Sequence, residues 1–405
     1  MSVSETFLLA LLVIFALPWA VWRLLGGRQT LPLVVVQIVG GILLGPGILG
    51  TALPAVYGTV FRPEVVASLN ALAMWAVMLF VFVAGLELNV TEAWAKRGET
   101  LLAAGLTLLV PLVLGSVAAA VLLQSPGWLG PKGSHWQAML GIGMACAVTA
   151  LPILIMFLDQ LKMLRQPLGQ RILRYASLDD VAIWAVLALI LLDWERLGRQ
   201  TLFLVCFLVA APLLRRVIPR LGANDRWIAG LIWLALCGFA ADWSGLHYMV
   251  GAFLSGAVLD ARWFDLNRVD GFRAAVLTAL MPVFFLSTGL RTSWEMGGWT
   301  AFAAALLLLV ASVGGKLIGT HLAGHLLGWQ RVETWIIGWL LQTKALIMII
   351  FANILLDKQI ITPATFTALL LMALASTLLT MPVVIRLLAR RPDLDKVQSP
   401  IESNT

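Results

Sequence analysis

Charge is what this chain has least of. Only 12% of its 405 residues are Asp, Glu, Lys or Arg, against 60% that are hydrophobic. A soluble domain of this length with that balance would expose apolar surface everywhere, so the composition excludes a water-soluble globule and implies a polytopic membrane protein. As a single residue type, cysteine is scarcer still, with three residues. Cys146, Cys206 and Cys237 all fall in apolar runs, which speaks against a disulfide framework and leaves the redox compartment undetermined. His321 and His325 lie four apart but have no Cys or carboxylate beside them in sequence, so they read as interfacial rather than as a metal site. No Walker sequence, nucleophile elbow, zinc spacing or dinucleotide fingerprint occurs where one would work, so we expect no enzyme, no cofactor and no nucleic-acid partner. Basic leader and cleavage site are also missing ahead of the first apolar run near Thr6, which therefore reads as a retained helix. The polar stretch 392–405 reads as a short cytoplasmic tail, too small for a nucleotide-binding regulatory domain.

Apolar runs are what the chain does have. Periodicity and length give about thirteen transmembrane helices, near 6–25, 31–50, 66–88, 100–123, 136–158, 172–192, 200–219, 226–242, 245–260, 274–291, 299–328, 334–356 and 362–389. The net charge of +7 is then a topological signal. With an outside N-terminus, most Lys and Arg fall on inner loops. Only Arg62, Lys132, Arg196, Arg199, Arg291 and Lys358 fall outside. The positive-inside rule favours that orientation, with a cytoplasmic C-terminus.

The two halves echo each other. VGGILLG at 39–45 is matched by VGAFLSG at 250–256, FVFVAGLE at 80–87 by FFLSTGLR at 284–291, and TALP at 149–152 by QTKA at 342–345. Each pair lies seven helices apart. An odd offset inverts the second copy, the plan of many secondary transporters, although Gly-rich packing alone also produces such likeness. Glu87 and Arg291 end helices at matching repeat positions and read as helix-end stabilisers.

The chain is organised around Arg174–Leu192, RYASLDDVAIWAVLALILL, in which Asp179 and Asp180 interrupt an apolar span. An Asp near the centre of a membrane helix costs roughly 2.5–3.5 kcal/mol on insertion-derived scales. Such residues mark ion or proton pathways. Ending the helix at Asp180 would place both acids among headgroups, but Val181–Leu192 alone is too short to span. Successive helix positions lie about 100° apart, so one acid can meet a fixed partner while the other meets an aqueous ligand.

Three further features belong with the acids. Pro152 removes a backbone donor and clashes with the Val148 carbonyl, which opens the helix near Val148–Thr149 or merely kinks it. Lys344, beside Gln342 and Thr343 in an apolar run, either neutralises half-helix C-termini at a break or snorkels to the interface. Lys316 has no carboxylate nearby in its own helix, and the Asp pair is the obvious partner. That pair is either a fixed structural bridge or one whose match changes when a proton or cation arrives.

Together these stretches resemble the monovalent cation:proton antiporter superfamily, in its branch of bacterial sodium/proton and potassium/proton exchangers and plant cation/proton exchangers. The likeness is carried by LPLVVVQIVGGILLGPGILG (31–50), LFVFVAGLEL (79–88), the TALP…DD stretch (147–189), LMPVFFLSTGLRTSW (280–294), GGKLIGTHLAGHLLGW (314–329) and ITPATFTALLLMALASTLLTMPVV (361–384). It covers nearly the whole chain.

The resemblance implies an all-α membrane protein of two inverted six-helix repeats with two broken crossing helices. It implies dimerisation or scaffold helices at 1–90 and 226–293, a transporting core at 98–192 and 297–391, and a linker helix at 198–222. By the family's pattern Asp180 carries the cation or proton, Asp179 pairs with Lys316 when no cation is bound, and Thr149 lends an oxygen. Ser177, one turn before Asp180, is our addition. The partners implied are Na⁺ or K⁺ and H⁺, the bilayer of a bacterial cytoplasmic membrane, and a second copy in a homodimer. The chain departs from its plant-like relatives where Met348 replaces an expected acid, which also admits a diverged carrier of a small organic ion. A passive cation channel is a third reading, weakened because one acid pair is not a ring of ligands.

Overall fold

The computed structural model describes residues 2–25, 33–86, 97–164, 166–192, 197–294 and 298–389. The side chains of Arg97, Pro152, Asp180, Leu197 and Leu266 lie outside the described part, as does the whole of Glu87. Within it the chain is helical almost throughout: α1 Val3–Leu24, α2 Leu33–Leu43, α3 Leu49–Ala52, α4 Pro54–Val60, α5 Pro63–Leu86, α6 Arg97–Leu122, α7 His135–Ala147, α8 Leu151–Gln160 and α9 Pro167–Ile190. There follow α10 Leu197–Val217, α11 Ala223–Trp243, α12 Tyr248–Ala257, α13 Leu266–Ala275, α14 Met281–Leu290, α15 Gly298–Leu327, α16 Arg331–Leu340, α17 Ile347–Asp357 and α18 Pro363–Leu388. Seven described stretches are long and apolar enough to cross a membrane, among them α1, α5, α15 and α18. Large apolar side chains stay exposed along α1 and α10, for instance Leu8, Leu12, Leu208 and Leu213. On a soluble protein such surface would aggregate; on a multi-pass membrane protein it faces lipid.

Several expected spans are shorter or interrupted, for local reasons. Among the described residues the run at 31–50 is helical over Leu33–Leu43 and resumes only at Leu49, because Gly45, Pro46 and Gly47 intervene. The run at 274–291 carries a π-helical turn over Val276–Leu280 immediately before Pro282, whose missing N–H favours such an irregularity. Two runs, at 136–158 and 334–356, are broken in their middles.

The chain divides into two compact units: Met1–Gly27, Pro32–Val90 and Trp184–Ser293 form the first, and Arg28–Leu31, Thr91–Ile183 and Trp294–Thr405 the second. In the first, the echoed glycine stretches pack crosswise. A Cβ on Gly289 of α14 would strike the α2 backbone at Gly41–Ile42, and one on Gly256 of α12 would strike the α5 backbone at Phe82. Helix axes approach this closely only where one partner lacks a side chain, the usual device of membrane bundles.

In the second unit, helix ends are tied at two places. At the starts of α6, α9 and α16, Arg171 donates through Nη1 to Glu333 Oε1 at 2.7 Å and lies 3.4 Å through Nε from Glu99 Oε1. Tyr175 donates to the same Glu99 oxygen at 2.9 Å and stacks on Trp329. Elsewhere, Gly130 N donates to Ile360 O at 2.9 Å and Thr365 Oγ1 to Trp128 O at 2.6 Å, joining the α6–α7 connection to the α17–α18 connection.

Candidate functional site

The two broken helices of the second unit meet at their breaks. Helix α7 stops at Ala147, Val148 and Ala150 are extended, and α8 restarts at Leu151. Pro152 falls in the first turn of α8, where its absent N–H has no helical partner to lose; of the two readings of this proline, the break is the one realised. Helix α16 stops at Leu340 and α17 begins at Ile347. The intervening stretch, LQTKAL, holds neither Gly nor Pro, so nothing local interrupts it. Its polar backbone groups find partners from outside the helix instead. Ala150 N donates to Thr343 O, Ser376 Oγ donates to Gln342 O at 2.8 Å, and Thr377 Oγ1 accepts from Lys344 N and Ala345 N, each at 3.2 Å. Unpaired backbone groups at membrane depth would cost several kcal/mol apiece, so these contacts are what permit the break.

Four of the residues singled out by sequence converge here. Asp179 is 1% exposed, and its Oδ2 accepts from Lys316 Nζ at 2.9 Å and lies 2.7 Å from the Thr149 hydroxyl. That hydroxyl also lies 2.8 Å from Leu341 O; having one proton, it serves one acceptor at a time. Asp179 Oδ1 is buried and has no hydrogen-bond partner among the described residues. Lys316 Nζ donates further to Ala147 O at 2.6 Å. Lys344 Nζ donates to Cys146 O at 2.7 Å and Val148 O at 3.0 Å. Two ammonium groups therefore occupy three consecutive carbonyls at the C-terminal, negative end of α7. The lysine expected to neutralise a break in its own helix neutralises the partner helix instead.

Ser177 is not part of this cluster. It donates back to Leu173 O at 2.9 Å, a one-turn bond within α9. Asp180 follows Asp179 on α9, its side chain outside the described residues. His321 bonds Leu317 O through Nδ1 and packs edge-on against Trp335, a structural setting. Sequence reasoning missed Ser312, Ser376 and Thr377. Ser312 Oγ donates to Cys146 O at 2.9 Å, and Gln342 Nε2 reaches Val313 O at 3.3 Å. The signal for Ser376–Thr377 was present, as adjacent hydroxyls in the apolar run of α18.

The crossing thus holds a buried carboxylate, two lysines and a threonine within hydrogen-bond reach of one another or of the broken helix end. Comparison with known proteins bears on this. A chain of similar fold is the sodium proton antiporter MjNhaP1 from Methanocaldococcus jannaschii, with a TM-score of 0.62 at 14% identity, covering 95% of this chain and 98% of that one. Among curated proteins, the Na(+)/H(+) antiporter NhaS4 of Synechocystis sp. is 28% identical over 383 residues, 90% of this chain and 93% of the relative. Cation/H(+) antiporter 18 of Arabidopsis thaliana is 30% identical over 375 residues, 87% of this chain but 45% of the relative, so the chain spans about half the length of such plant proteins. The model of the family described as "Sodium/hydrogen exchanger, transmembrane", a family of transporters rather than enzymes, matches residues 9–390. This chain belongs to the sodium/hydrogen exchanger family.

Proposed function

We propose that this protein exchanges a monovalent cation, Na⁺ or K⁺, for protons across a membrane, with Asp180 as the site both ions share. The observation that carries the reading is the buried Asp179–Lys316 pair at the crossing of two helix breaks, one residue before Asp180 on the same helix. Asp180 carries no net charge when protonated and little when a cation neutralises it. Bare, it is costly to move through lipid. Ions thus cross in turn through one site, and neither crosses without return of the other. Thr149 is placed to exchange its hydrogen bond between Asp179 and Leu341 O as occupancy changes. Lys316 balances Asp179, and Lys344 with the α7 carbonyls keeps the broken ends electrically quiet. The cations named for the relatives, Na⁺ and K⁺, are both candidates here.

Alternating access would come from core helices at 98–192 and 297–391 moving as a body past scaffold helices at 1–90 and 226–293, the two six-helix halves being inverted copies and the protein a homodimer. The crosswise glycine seams of α2–α14 and α5–α12 support the inverted pairing. The orientation, with N-terminus outside and C-terminus cytoplasmic in a bacterial inner membrane, rests on the positive-inside bias. Helix-end grouping supports the helix parity and is the same in either orientation: Arg171, Glu99 and Glu333 meet at one set of helix ends, and Gly130 and Ile360 at another. The test is purified protein in liposomes with an imposed pH gradient and a pH dye, adding Na⁺, K⁺ and Li⁺ in turn. We expect Asp180→Asn to reduce exchange to the protein-free background. Robust cation-dependent proton flux in that variant rejects the assignment.

A further inference from the structure

Helix α17 begins without a cap of its own: Leu346, which precedes it, offers no side-chain acceptor. Helix α18 instead supplies an acceptor to the segment just ahead of α17. Thr377 Oγ1 takes the N–H groups of both Lys344 and Ala345, and its neighbour Ser376 donates to Gln342 O. All of these atoms are buried. From Thr377 a short chain of contacts leads to the acids. It fixes the backbone of Lys344, whose Nζ holds Cys146 O and Val148 O, and the next residue, Thr149, lies on Asp179. Ser376–Thr377 also occupy the place in the second half that Asp179–Asp180 occupy in the first. Each is an adjacent polar pair on the helix following a broken one, and each touches that break.

We infer that Thr377 is a positioning residue for ion exchange, acting through Lys344 on the carbonyl end of α7 and on Thr149, and that the second half keeps a hydroxyl pair where the first keeps its acids. The inference rests on the exchange reading for its transport readout, but its structural half does not. Thr377→Val keeps the shape and removes the acceptor; Thr377→Ser restores it. In liposomes, Thr377→Val should raise the half-saturating cation concentration about tenfold, equivalent to about 1.4 kcal/mol, with maximal rate per folded protein little changed. Thr377→Ser should return it to near the wild-type value. Amide hydrogen exchange on the segment 341–346 should lose protection in the valine variant and regain it in the serine variant, whatever the transport result. An unchanged half-saturating concentration beside active wild-type protein, a serine variant no better than valine, or unaltered protection at 341–346 each overturns the inference. If wild-type protein shows no exchange at all, the functional reading fails, and the protection measurement alone then decides the role of Thr377.

Discussion

Replacing Lys316 by Met tests the centre of the proposed site. The substitution keeps an unbranched side chain of similar length and deletes the ammonium group. Among the described residues, Asp179, 1% exposed, would keep only the Thr149 hydroxyl, which it shares with Leu341 O, while its Oδ1 has no partner there already. Ala147 O would lose its donor as well. Breaking a buried pair by removing one partner costs about 3–5 kcal/mol, chiefly because the remaining charge is stranded. Removing both charges in Lys316→Met/Asp179→Asn strands no charge, leaving only Ala147 O without its donor. The double variant should therefore be more stable than Lys316→Met, with a coupling energy of about 0.5–3 kcal/mol across the cycle. Stability is read as the apparent melting temperature of purified protein in detergent, and exchange in liposomes is read in parallel with a membrane-potential dye. We expect Lys316→Met to melt well below wild type and to change the pH dependence or the electrogenicity of exchange. If Lys316→Met melts with wild type, or if the two substitutions simply add, the pair is not the coupled unit described.

Thr149→Val removes a hydroxyl beside a carboxylate, a bond worth about 1.5–3 kcal/mol when one partner is charged, so cation affinity should fall by roughly tenfold or more while Thr149→Ser stays close to wild type. Titration of exchange rate against cation concentration checks this, and equal affinities for valine and serine variants would remove Thr149 from the site. Arg171→Ala leaves Glu99 and Glu333 without their shared guanidinium. Because these groups are partly exposed, the loss should be only about 1 kcal/mol, seen as a small, salt-dependent drop in melting temperature with Asp180-dependent exchange retained. A complete loss of exchange in that variant would instead tie the helix-end cluster to the transport step.

The sequence alone determined what oil makes unavoidable. A run of twenty apolar residues has one stable use, and a carboxylate or ammonium inside such a run needs a partner. Hence the membrane class, the special standing of Asp179, Asp180, Lys316 and Lys344, and a disturbance ahead of Pro152, as a break or a kink, were legible from residue type and spacing. The tertiary structure decided who the partners are. Lys316 meets Asp179 across 137 residues of chain, and Lys344 reaches Cys146 O, 198 residues away. The break at 341–346 holds neither Gly nor Pro, and Thr377, Ser376 and Ala150, distant in sequence, satisfy part of its backbone. Ser177 turned inward to its own helix for the same reason: a hydroxyl in an apolar span takes the nearest carbonyl unless packing offers a better one. Local chemistry states the need for a partner, whereas packing of helices distant in sequence chooses it.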